Sequence, residues 1–117
     1  MGKSIIKDKS FLFAKRIVML FKYLIDDKKE FVLSKQLLRS GTGVGALVRE
    51  AQNAESKMDF IHKLGIAQKE CDETLYWLEL LFESDYLKEK EFASIQKEAN
   101  ELLRMIRSAN LTTKAKK

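Results

Sequence analysis

The sequence predicts an all-α chain, an antiparallel up-down-up-down four-helix bundle. Three observations carry this. No proline occurs in 117 residues, so no helix is obliged to break and a turn-rich β fold lacks its usual punctuation. Apolar residues recur at alternating three- and four-residue spacing in four separate stretches, one stripe per helix. The connections between these stretches are short, which favours sequential antiparallel neighbours. A chain of this length makes one domain and buries about two-thirds of its unfolded surface, enough for a real core.

Helix 1 is expected over residues 10–27, with Ser10 as N-cap. Phe11, Ala14, Val18, Phe21 and Ile25 form one seam, and Phe13, Ile17, Leu20 and Leu24 a second beside it. A small-bundle helix needs one stripe, so two imply deep burial or a second partner. The segment before Ser10 is basic around Ile5 and Ile6, and either prolongs the helix or lies as an arm.

Helix 2 is expected over residues 33–54, after a short connection from Lys28 to Val32. Leu37, Gly41, Val44, Val48 and Ala51 share one face. Three glycines in this helix cost about 1 kcal/mol each relative to alanine. Gly41 and Gly45 are four residues apart, on one side, and are assigned to close helix packing. Gly43 points elsewhere. The same run fails as a phosphate cradle: no Lys-Ser or Lys-Thr follows Gly45, Ala46 stands where a dinucleotide fingerprint has its third glycine, and residues 35–40 are no buried strand.

Ser56 and Asp59 form a capping box for helix 3, expected over residues 57–84. Its seam is Phe60, Leu64, Ala67, Cys71, Thr74, Leu78 and Leu81, and residues 75–82 are apolar nearly all round. Helix 4 is expected over residues 89–110, with acids in its first turn and a seam of Phe92, Ile95, Ala99, Leu102, Ile106 and Ala109. Residues 112–117 read as a frayed basic tail.

Little chemistry is available to this inventory. Cys71 is the only cysteine and falls on a core seam, which excludes an intrachain disulfide and fits a reducing cytoplasm. His62 is the only histidine, so no metal site is expected. The helix 3 acids lack the Glu-x-x-His pattern of di-metal bundles and read as a solvated face with partners such as Lys69–Glu73. No apolar run is long enough for a membrane span, and neither a signal-peptide core nor a myristoylation site is legible at the start. No enzyme activity and no cofactor are expected.

Charge placement says more. The net charge is +5, from 22 basic and 17 acidic residues. Acids concentrate in residues 70–101, while residues 102–117 carry none. Folded as a bundle, the end bearing both termini and the helix 2–3 turn collects Lys3, Lys7, Lys9, Lys15, Arg16, Lys69, Lys114, Lys116 and Lys117 around Arg49, Lys57, Lys63, Arg104 and Arg107. These last five are the candidate phosphate contacts of a sequence-independent nucleic-acid interface. No aromatic-interleaved basic motif suggests base stacking.

The stretches LLRSGTGVGALVREAQNAESKMDFIHKLGIA and ETLYWLELL resemble the bacterial four-helix-bundle proteins named after the intervening sequences of 23S ribosomal RNA, in which some members are encoded. The resemblance spans nearly the whole chain. It departs at Gly43, commonly Ser in that family, and at Leu47, commonly Asn. It implies a bundle assembling into a ring-like homopentamer. A more distant resemblance is to the accessory proteins of diversity-generating retroelements, which bind nucleic acid and a reverse transcriptase. No catalytic residue carries over. The expectation is therefore a cytoplasmic homo-oligomer that binds RNA or DNA through its basic end. The alternative is a scaffold for a partner protein that touches no nucleic acid.

Overall fold

A computed structural model describes residues 2–116, with side chains from residue 5 onward. The described residues form four helices in a bundle, with no strands: α1 (Gly2–Asp26), α2 (Leu33–Gln52), α3 (Lys57–Glu83) and α4 (Glu89–Ala115). Each helix packs on the next in sequence, and α1 closes on α4 through the thinnest of the four contacts.

Helix α1 starts well before Ser10. Ser10 is no cap: its side chain is buried in mid-helix, and the hydroxyl donates to the Lys7 carbonyl at 3.0 Å. The cause is a core face that reaches further back than Ser10. Ile6, Ser10, Phe13, Ile17, Leu20 and Leu24 all lie on it, a 4-3-4-3-4 series that carries the helix with it. The second expected seam is not core. Phe11 is exposed, and Ala14, Val18, Phe21 and Ile25 are only half-buried.

The α1–α2 connection, a short linker by sequence, is built around Glu30. Lys29 adopts a left-handed φ of 55° and reverses the chain. The buried Glu30 carboxylate then accepts from the backbone N–H groups of Ser34 (2.6 Å), Leu33 (3.0 Å) and Val32 (3.2 Å), while the Ser34 hydroxyl donates to the Glu30 carbonyl. Glu30 thus satisfies the free N–H groups that open α2. Burial pushes its pKa up, but those N–H bonds from Leu33, Ser34 and Val32 outweigh burial and hold it below the usual carboxylate value.

Helix α3 opens as its cap predicts, with the Asp59 N–H donating to Ser56 Oγ at 3.0 Å. The return bond differs: the Asp59 carboxylate takes the Glu55 N–H at 3.2 Å. The helix closes in a paired turn around Asp85, whose φ is 69°. There the Asp85 N–H bonds the Phe82 carbonyl and the Tyr86 N–H bonds the Leu81 carbonyl, a Schellman arrangement with Asp in the position usually held by glycine. The seam of α3 is buried from Leu64 to Leu81. Its apolar last turns are partly absorbed within the chain. Phe82 stacks on Phe92 of α4 at 4.4 Å, and Trp77 donates to Glu73 at 3.0 Å. Glu73 also takes Arg39 of α2 at 3.4 Å, the partner observed in place of Lys69.

Helix α4 runs through most of the expected tail. Asn110 is buried, and the Thr113 hydroxyl donates to the Ala109 carbonyl at 2.8 Å. Lys57 of α3 bonds the carbonyl of Lys116, tying the end of α4 to the start of α3.

Candidate nucleic-acid interface

Residues from the early part of α1 and α3 and from the last turns of α2 and α4 line two neighbouring cavities. Gly45 on α2 marks how closely α1 and α2 approach. A Cβ built there would lie 3.1 Å from the Ser10 carbonyl oxygen of α1. Gly41, one turn earlier, would place a Cβ only 2.8 Å from Ile17 Cγ1. Both glycines therefore face α1. Gly43 turns toward α3, where the nearest atom is a Glu70 carboxylate oxygen at an ordinary 3.6 Å. Nothing there requires a glycine.

The five candidate phosphate contacts do not make one patch. Arg49 and Lys63 share a cleft of about 610 Å³ between α1, α2 and the start of α3, together with Lys7. Glu50, Glu55 and Asp59 line the same cleft, and Lys63 pairs with Glu50 at 3.1 Å. Arg104 lines a different cavity, between the ends of α1 and α4. Lys57 is engaged with the Lys116 carbonyl. Arg107 faces Asp72 of α3 at 4.0 Å. Arg16 leaves the basic end altogether and reaches Glu98 and Glu91 of α4. Burial disfavours its charge, but hydrogen bonds to those two carboxylates raise its pKa above the ordinary arginine value. Lys3 and Lys117 lie outside the described side chains.

The fold also supplies a group that the sequence did not offer. The exposed ring of Phe11 lies 5.7 Å from the Arg49 guanidinium, a cation–π contact on the wall of the Arg49–Lys63 cleft. The pair comes from two different helices. Phe11 also sits on the seam of α1 that periodicity marks as core, so no local signal reveals it.

Comparison with known proteins fits this architecture. The 23S rRNA-intervening sequence protein profile matches residues 2–108. The chain belongs to that family. A crystal structure of a protein of unknown function from the S23 ribosomal protein family of Bacteroides thetaiotaomicron superimposes with a TM-score of 0.93 at 49% identity, over 94% of this chain and 98% of that one. No curated protein matches the chain. The four-helix scaffold is thus that of the 23S rRNA-intervening sequence family. No helix of the described residues is long and apolar enough to cross a membrane.

Cys71 and His62 belong to no cluster of three or more potential metal-ligating side chains among the described residues. Cys71 is fully buried, with its thiol on the Ala99 carbonyl at 3.4 Å, and burial, with Asp72 nearby, pushes its pKa up to about 12. His62 is exposed on the first turns of α3.

Proposed function

We propose that this protein is a non-enzymatic, cytoplasmic homo-oligomer, a ring-like pentamer of up-down-up-down bundles, that binds the backbone of RNA or DNA through its basic end. The observation that carries the reading is the convergence of Lys7, Lys9, Arg49, Lys57, Lys63, Arg104 and Lys116 from all four helices at one end of the molecule. Within this set only Lys63 forms an ion pair among the described residues. Unpaired cations on a shared end favour a polyanion without reading its sequence. Self-association draws support from the outer face of α1. Ile5, Leu12 and Met19 are each at least half exposed and recur every seven residues, a stripe suited to another copy of the helix. Assembly would multiply the basic ends and the avidity for a polyanion.

The test is binding of a short structured RNA and a matched duplex DNA across a salt series, with the mass of the oligomer measured in the same buffer. Affinity should fall steeply with salt, and should drop further in Arg49→Glu and Lys63→Glu. An intact oligomer with no binding at low salt would refute the nucleic-acid reading. A partner captured equally well after nuclease treatment would instead favour the scaffold.

A further inference from the structure

The α1–α4 contact is the thinnest in the bundle, and at the basic end it opens into a cavity of about 790 Å³. This lies within the range of about 300–1,000 Å³ that holds small-molecule ligands. The floor is core: Ile6, Val48, Ala51 and Leu64 are buried, with half-buried Phe60 and Met105 beside them. The space arises because α4 offers Ser108, Ala109, Thr112 and Thr113 here, all small, where a large side chain would close the gap against α1. The rim is different in kind. Lys9, Arg104 and Lys116 stand around the cavity against a single acid, Glu101. None of the three side chains makes an ion pair among the described residues. An apolar floor under an uncompensated cationic rim is complementary to one kind of molecule, with an alkyl chain at one end and a negative charge at the other.

We propose that this cavity binds a single-chain anionic amphiphile, a fatty carboxylate, with its chain along Ile6, Leu64 and Met105 and its carboxylate between Lys9, Arg104 and Lys116. The hydroxyls of Ser108 and Thr112 are further polar groups on the cavity wall. The cavity does not require nucleic-acid binding, although its three rim cations, Lys9, Arg104 and Lys116, belong to both readings.

The experiment uses the full chain and dansyl-undecanoate as a fluorescent probe, with displacement by laurate, 1-dodecanol and dodecyltrimethylammonium below their aggregation limits. The probe should saturate at equimolar protein with a blue-shifted emission. Laurate should displace it at least about tenfold more effectively than either competitor, the difference that one charge contact provides. Arg104 is exposed, so Arg104→Glu should fold normally by circular dichroism while weakening the probe by about tenfold. Ala109→Phe, which fills the cavity without touching the rim charges, should abolish binding and leave nucleic-acid affinity unchanged. The proposal is overturned by an absence of saturable signal, by equal displacement with dodecyltrimethylammonium, or by wild-type probe affinity in Arg104→Glu. Undiminished probe binding in a folded Ala109→Phe variant would place the amphiphile elsewhere and overturn it equally.

Discussion

The helical glycines give a graded test of how α1 packs on α2. In Gly41→Ala the new methyl would lie 2.8, 2.9 and 3.1 Å from Ile17 Cγ1, Cγ2 and Cδ1, where carbon atoms normally rest about 3.5–4.0 Å apart. Ile17 is fully buried and β-branched, so its χ1 is held by its own helix. The overlap must be relieved by moving α1 off α2. Overpacking of this kind costs about 1–3 kcal/mol, against a gain of about 1 kcal/mol from helix propensity. Gly41→Ala should therefore lose about 1 kcal/mol net. In Gly45→Ala the neighbour is the Ser10 backbone at 3.1 Å, a smaller overlap on a less yielding atom, and the two effects should nearly cancel. Gly43→Ala meets only the flexible Glu70 carboxylate at 3.6 Å, and Gly65→Ala meets nothing within 4 Å. Both should gain about 0.5–1 kcal/mol. Urea midpoints by circular dichroism, all at one protein concentration so that any self-association weighs equally on each variant, rank the four. A Gly41→Ala protein as stable as Gly43→Ala would refute the close approach. Pairing Gly41→Ala with Ile17→Ala isolates the clash. The double variant should be more stable than the sum of the singles by about 1 kcal/mol.

Two further outcomes follow from buried polar groups. Glu30→Ala, which frees three N–H groups at the start of α2, should cost about 1–2 kcal/mol at neutral pH. Because the folded Glu30 pKa lies below its ordinary 4.5, its stabilisation is complete above that value and is lost as pH falls through the lower folded value. The stability gap between wild type and Glu30→Gln should accordingly close between pH 4.5 and the acid limit; a gap independent of pH would show that the charge of Glu30 plays no part. Cys71, fully buried with a pKa pushed up to about 12, should resist iodoacetamide in the native protein and react readily in urea. Labelling at equal rates in both would place the thiol at the surface.

Much of this fold is written locally in the chain. The seams of α2 and α3 and most of that of α4 were legible because burial on a helix follows its 3.6-residue period whatever it packs against. The Ser56 cap was legible because its partner is three residues away. The resemblance in residues 37–67 and 73–81 placed the chain in its family by the same local signals. What failed was everything set by the distance between helices. Periodicity offered two faces for α1, and only contact with α2 and α4 selected Ile6, Phe13, Ile17, Leu20 and Leu24 over the Phe11 seam. That choice also moved the start of α1 back past Ser10. Helical spacing puts Gly41 and Gly45 on one side and Gly43 on another, but it does not say that Gly41 meets a buried isoleucine, Gly45 a backbone carbonyl and Gly43 a flexible carboxylate. Glu30 reads as linker until three N–H groups are folded onto it. The five basic residues cluster when assigned to an end of a bundle, but their neighbours across helix interfaces separate them into two cavities and several pairings, and bring Phe11 against Arg49. The sequence alone determined where the four helices lie, apart from the start of α1 and the end of α4, and which face of α2 to α4 is apolar, because hydrogen bonding and amphipathicity act within a few residues. Only the tertiary structure decided which side chains meet, because that depends on the register and spacing of helices brought together from distant parts of the chain.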